Sequence, residues 1–351
     1  AVQAKYELQR MTTEKKNEVL EAVAEALIQN TEYLLLENHK DLERGIANQM
    51  NPGLVDRLRL TKERIAGMAE GIRQIEKLPD PVGEILDDYE AENGLHIVKK
   101  RVPMGVIGII YESRPNVTAD AFGLCFKSGS AVILKGGRDA IRSNMAITKV
   151  IQDAVVRRGV DPYVIQLIES TDRSVVNEFM KMKQYVDLLI PRGGAGLIRN
   201  VVENSLIPVI ETGTGNCHIY VDDSADLEMA VQITDNGKTQ RPSVCNALET
   251  CLVHKDVADK FLPMLQKVFE KHQVEIRGCE RTKAILGDSV VLATPQDYAT
   301  EFLDYIMSIK VVDSIEEAIA HIRKYSTGHS ECIITESYRH AEQFQKEIDS
   351  A

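Results

Sequence analysis

Apolar residues recur every three or four positions through the first eighty residues of the chain. Leu20, Val23, Ala24 and Leu27 share one helical face between Thr12 and Asn30. Ile65, Met68, Ala69, Ile72 and Ile75 repeat the pattern behind Thr61, a residue suited to capping a helix. This region is expected to be mainly helical, and the two prolines between Leu78 and Gly83 end it. Glu84–Glu92 and Leu95–Val102 then flank Asn93-Gly94, a pair that predicts a β-hairpin. The hairpin is polar outside its turn. It either projects to pair with another subunit or lies as a solvated surface feature.

After Pro103 the pattern changes to short apolar runs alternating with helical stretches. Strands are expected at Val106–Ile110, Ala131–Leu134, Tyr163–Ile168 and Tyr185–Ile190, with helices from about Thr118, Ser143 and Arg173. A second series begins near His218–Val221 and includes Leu248–Val253, Ile309–Val312 and Glu331–Thr335. Such β-α-β alternation predicts an α/β fold with mostly parallel sheets, whose ligands bind beyond the carboxyl ends of the strands.

The length of 351 residues suggests two domains, and 44% hydrophobic residues suit a globular protein. A formal charge of −11 argues against a nucleic-acid or anionic-membrane surface, while leaving room for a small phosphorylated substrate in a locally positive cleft. No apolar run has the length of a membrane span, and the first residues resemble neither a signal nor a transit peptide, so the cytoplasm is the expected location. Six cysteines stand without CxxC spacing, which points away from a disulfide framework or zinc site and towards one reactive thiol among five small buried hydrophobes. Patterns of zinc peptidases, serine hydrolases and P-loop proteins do not occur.

Cys245 is the candidate nucleophile. It follows Arg241-Pro-Ser-Val244, which Pro242 marks as a loop, and precedes an apolar segment that anchors the backbone in the core. Two glycine turns, Lys135-Gly136-Gly137-Arg138 and Arg192-Gly193-Gly194-Ala195-Gly196, end predicted strands and either bring backbone N–H groups to a dinucleotide or serve only as turns. Lys135 at a strand end either reaches a ribose hydroxyl or 2′-phosphate or is a surface charge. The loop Tyr111–Asn116 offers polar donors for an oxyanion or a carboxylate, or is a polar turn with Asn116 as helix cap. His218 neighbours Cys217, but adjacent strand residues face opposite ways, so it is read as structural.

The blocks VPMGVIGIIYESRPNVTADAF, KSGSAVILKGGRDA, VDLLIPRGGAGLI, ETGTGNCHIYVD and KTQRPSVCNALET together resemble the gamma-glutamyl phosphate reductase family of the aldehyde dehydrogenase superfamily, and the resemblance covers nearly the whole chain. Glu211 stands 34 positions before Cys245, the spacing of the superfamily's general-base glutamate and nucleophile. The resemblance implies an aldehyde dehydrogenase-like fold of two Rossmann-type parallel-sheet domains with a projecting oligomerisation hairpin. Residues 1–83 and 103–213 would bind the cofactor, 84–102 form the hairpin and 214–351 carry the cysteine. The family continues for several dozen residues beyond Ala351, so a truncated catalytic domain is expected.

Carried over by residue, the resemblance implies that Cys245 is the nucleophile and that Lys135, with Gly136 and Gly137, meets the adenosine ribose of NADPH. Arg192, Gly193, Gly194 and Gly196 would lie along the dinucleotide, and Glu301 would bind the nicotinamide ribose. Ser113 or Asn116 would be the oxyanion donor, with Glu211 as a base, a proton shuttle or a structural group. Arg114, Lys238 and Arg241 are candidates for the substrate phosphate, and the last two also for lowering the thiol pKa, or for facing solvent. The implied reaction reduces L-glutamate 5-phosphate with NADPH to L-glutamate 5-semialdehyde and phosphate through a Cys245 thioester, in proline biosynthesis. A homodimer or homotetramer and, as a candidate partner, glutamate 5-kinase complete the expectation. A hydrolytic semialdehyde dehydrogenase using Glu211 and a non-catalytic binding protein are the alternatives.

Overall fold

A computed structural model describes residues 1–211 and 213–351, which form two compact units, 1–212 and 213–351. The first opens with helices α1 (Val2–Arg10), α2 (Thr13–Gln29), α3 (Thr31–Ala47), α4 (Pro52–Leu58) and α5 (Lys62–Lys77). The hydroxyl of Thr61 accepts the Arg64 N–H, as its expected role as a cap requires, and the hydroxyl of Thr12 caps α2 in the same way by accepting the Lys15 N–H. Behind them Val19, Leu20, Val23, Ala24 and Leu27 of α2, and Ile65 to Ile75 of α5, are buried at the predicted spacing. Hairpin strands β1 (Ile85–Glu90) and β2 (His96–Lys100) pair antiparallel around a turn in which Gly94 has φ +82°. Every residue of both strands is exposed, Ile85, Tyr89 and Val98 included, so the expectation of a polar hairpin is corrected: it also carries apolar surface.

The remainder of this unit is a parallel sheet of order β5-β4-β3-β6, built from β3 (Val106–Tyr111), β4 (Ala131–Lys135), β5 (Ile165–Leu167) and β6 (Leu188–Arg192). Helices α6 (Asn116–Lys127), α7 (Ile141–Arg157) and α8 (Arg173–Phe179) connect them, and α9 (Ala195–Asn204) follows β6. All six residues of β3 are buried, as a central parallel strand requires. Two strands begin later than expected. Pro162 and the Asp161 carboxylate, which accepts the Tyr163 N–H at 2.8 Å, start a 3-10 turn where strand was predicted, and the carbonyl of Met182 accepts the N–H groups of Tyr185 and Val186 before β6 begins.

The second unit carries a parallel sheet of order β10-β9-β11-β8-β7-β12. Its strands are β7 (Cys217–Val221), β8 (Leu248–His254), β9 (Glu275–Gly278), β10 (Val291–Leu292), β11 (Ile306–Val312) and β12 (Glu331–Ile334). Helices α10 (Leu227–Thr239), α11 (Lys255–Phe269) and α12 (Glu280–Leu286) pack against one another and the sheet, and α13 (Ile315–Tyr325) packs with α14 (Tyr338–Glu347). Both faces are apolar: Phe261, Leu262 and Leu265 of α11 join one core, and Ile315, Ile319 and Ile322 of α13 another. Among the described residues no helix is long and apolar enough to cross a membrane.

Candidate active site

In the first unit, strand register brings three chain segments to one rim. Ile110 of β3 pairs with Lys135 of β4 and Pro191 of β6, and Tyr111 pairs with Arg192, so the two glycine turns and the Tyr111–Asn116 loop leave the sheet side by side. Such a rim is where doubly wound sheets hold ligands. Lys135 is buried, and its ammonium donates to the Gly136 carbonyl at 3.0 Å. Burial lowers its pKa, and no carboxylate offsets that cost among its described contacts. The surface-charge alternative for Lys135 is thereby removed. A Cβ on Gly136 would lie 2.2 Å from Nδ2 of buried Asn144, so the turn closes on an amide whose oxygen accepts from the Thr118 hydroxyl at 3.2 Å while its nitrogen is left without a hydrogen-bond partner.

Glu112 changes the picture of the second turn. Its carboxylate accepts the Gly194 N–H at 2.9 Å, at the N-terminus of α9, and a Cβ on Gly193 would come within 2.8 Å of that carboxylate. Gly193 thus makes room for an internal anion at the point where a helix N-terminus favours negative charge. Gly196 lies inside the first turn of α9. Arg192 is exposed, and its charge helps to lower the pKa of Asp120 against the larger, opposite effect of burial.

The oxyanion candidates are engaged with acids. The Ser113 hydroxyl donates to Asp139 at 3.0 Å, and the Asn116 amide donates to Asp120 at 3.0 Å. Asn116 is the first residue of α6, with Pro115 at the cap position, so its expected role as helix cap is corrected. The amide keeps a second N–H for another acceptor. Arg114 is half-buried, and its backbone N–H bonds the Glu112 carbonyl at 2.6 Å. Glu211 is exposed at the end of this unit.

In the second unit the loop between α10 and β8 holds Cys245 half-buried, with Arg241 and Asn246 exposed on either side. Its backbone is pinned from behind. The Cys217 thiol donates to the Cys245 carbonyl at 3.2 Å, and a Cβ on Gly215 would fall 1.5 Å from that same oxygen. Only glycine permits this approach. The Gly215 N–H donates to Glu301 at 3.0 Å, so Glu301 is a half-buried, bonded carboxylate, with one oxygen committed to the segment behind the thiol.

Lys238 requires a correction. Its side chain is fully buried on Glu249, Nζ to Oε2 at 2.7 Å, and Glu249 is equally buried. It neither faces solvent nor presents its ammonium to a substrate phosphate in this conformation. Burial lowers the Lys238 pKa and raises that of Glu249 to about 7, each opposed by the partner's charge. Of the proposed cations in this unit, Arg241 alone is exposed.

The other cysteines divide. Cys125, Cys217 and Cys251 are buried, and burial drives all three thiols up, the first two to about 12. Cys279 differs from the expectation of an inert hydrophobe: it is partly exposed, and although burial opposes ionisation, hydrogen bonds from Thr282 and from the Val311 N–H lower its pKa. His218 is buried with Nδ1 on the Asn216 carbonyl at 2.9 Å, a structural placement. The sequence reading missed Glu112, Gly215 and Glu249. An acid directly after a buried strand was a signal for the first, but the partners of the other two lie far along the chain.

The sequence profile of the aldehyde dehydrogenase family matches residues 1–284. Gamma-glutamyl phosphate reductases of Caldanaerobacter subterraneus subsp. tengcongensis and Heliobacterium modesticaldum are each 54% identical over 351 residues, covering 100% of this chain and 84% of theirs. The crystal structure of gamma-glutamyl phosphate reductase from Thermotoga maritima superposes with a TM-score of 0.91 at 48% identity, over 99% of this chain and 84% of that one. An acetylating aldehyde dehydrogenase from Geobacillus thermoglucosidasius, at 19% identity over 100% of this chain and 82% of its own, shares the fold with a TM-score of 0.73. The chain belongs to the aldehyde dehydrogenase family and, within it, to the gamma-glutamyl phosphate reductases, enzymes of proline biosynthesis.

Proposed function

We propose that the chain reduces L-glutamate 5-phosphate to L-glutamate 5-semialdehyde with NADPH, through an acyl thioester on Cys245. The observation that carries this is the Cys245 loop: a half-buried cysteine on a backbone whose carbonyl is packed against Gly215 and bonded by the Cys217 thiol. The thiolate adds to the acyl carbon, the tetrahedral oxyanion expels inorganic phosphate, and the acyl group stays on sulfur. NADPH, when bound, supplies the hydride that reduces this acyl group. Collapse of the resulting thiohemiacetal returns the sulfur and releases the aldehyde. In the second unit Arg241 is the cation proposed for the substrate phosphate and the Cys245 N–H the donor proposed for the oxyanion; Arg114 and the second Asn116 N–H are the first unit's candidates for those roles. Glu211 serves to move a proton on collapse, since no water is needed at the acyl carbon.

Lys135 suits the cofactor's ribose or 2′-phosphate, because a buried ammonium bonded to a carbonyl has capacity for an anion or hydroxyl. Glu301 is proposed for the nicotinamide ribose through its second oxygen. The apolar surface of the hairpin favours pairing with a second copy of the chain, and glutamate 5-kinase is the proposed source of the acyl phosphate. Phosphate dependence separates the scheme from hydrolysis. Oxidation of glutamate-5-semialdehyde with NADP should require phosphate or arsenate and vanish in Cys245→Ala, whereas oxidation without either anion would favour the hydrolytic alternative.

A further inference from the structure

The buried pair Lys238–Glu249 closes the neck of the nucleophile loop. Lys238 lies in the last turn of α10 and Glu249 is the second residue of β8, so the pair joins the two chain segments between which Cys245 is suspended. The second Glu249 oxygen accepts the Leu303 N–H at 3.1 Å. Leu303 has φ +56°, a left-handed conformation that a leucine adopts only when its surroundings hold it there. Two residues earlier Glu301 bonds Gly215, which leaves no room for a Cβ against the Cys245 carbonyl. The circuit from Lys238 through Glu249, Leu303, Glu301 and Gly215 therefore returns to the cysteine.

A fully buried ion pair is a poor device for stability alone, because removing both ions from water costs about as much as their attraction returns, and apolar residues of similar size serve equally well. What the pair adds is fixed geometry. We infer that Lys238 and Glu249 are positioning residues, a latch that sets the Cys245 loop and ties it to the Glu301 segment. This rests on Cys245 being the nucleophile. The latch acts on where the sulfur sits, and a sulfur displaced by about 1 Å loses on the order of a hundredfold in rate.

The test is the alkylation rate of Cys245 by iodoacetamide across pH, with the labelled residue identified by peptide mapping and Cys279 as internal control. In the double variant Lys238→Met/Glu249→Leu, at unchanged melting temperature, the plateau rate at Cys245 should fall by more than about threefold. The pH midpoint should stay, because the variant removes no net charge, and Cys279 should label as before. A smaller fall overturns the latch. Should the double variant not fold, Lys238→Gln, which keeps a neutral donor beside Glu249, takes its place with the same two outcomes. An unlabelled wild-type Cys245 would instead overturn the nucleophile assignment and the latch with it.

Discussion

The carboxylate of Glu112 sits on the backbone N–H of Gly194 at 2.9 Å, at the position where the N-terminus of α9 would otherwise meet an external anion. A dinucleotide phosphate bound at this turn, as proposed above, would compete with this side chain for one donor, and their charges would repel. Glu112→Gln keeps an acceptor and removes the charge. NADPH titrated by fluorescence should bind the variant about threefold more tightly or better; unchanged affinity would mean that no phosphate approaches this turn.

Lys135 predicts opposite signs for stability and binding. Its buried ammonium is offset by one carbonyl only, so Lys135→Met should leave the melting temperature unchanged or raise it. A charge-assisted contact contributes about 1.5–3 kcal/mol, so NADPH affinity should fall by roughly ten- to hundredfold. Calorimetric titration and thermal melting of the same sample check both halves.

Gly215→Ala introduces a Cβ on the Cys245 carbonyl oxygen, so the loop or the Gly215 segment must move. A loss of about 1–3 kcal/mol is expected in denaturant unfolding. Cys245 alkylation should change as well, and a variant of parental stability and thiol reactivity would show that the two segments are less closely packed.

Much of this architecture was legible because local pattern and tertiary environment agree. The buried stripe of α2 follows directly from Leu20, Val23, Ala24 and Leu27, and the wholly apolar β3 reads as a central strand. Strand starts were less legible, since at Tyr163 the Asp161-Pro162 turn overrides β propensity. Cys245 stood out by its loop. The place of Lys238 did not, because its partner Glu249 lies across the cysteine loop and only the fold makes them neighbours. Glu112 carried a signal, an acid directly after a buried strand, but its partner Gly194 stands on another strand's exit and only the fold supplies it.

His218 and His321 predict an acid-labile second unit. Their rings meet edge to face at a centroid distance of 5.6 Å, both Nε2 atoms are buried without a partner, and burial depresses their pKa values to about 4 and about 3. The unfolded chain takes up these protons near pH 6.5, so stability is full above that pH and lost as pH falls towards 4, by about 1.4 kcal/mol per pH unit for each ring. Urea unfolding at pH 7 and pH 5 measures the slope. Replacing either histidine by Phe should flatten it, and an unchanged slope would place the titrating groups elsewhere.

The most direct measurement is a burst experiment without phosphate. Glutamate-5-semialdehyde and NADP mixed with the protein should give a burst approaching one NADPH per chain, then stall with the glutamyl group on Cys245 by mass spectrometry, and added phosphate should release it. Steady turnover without phosphate, or a burst that survives in Cys245→Ala, would contradict the cysteine thioester.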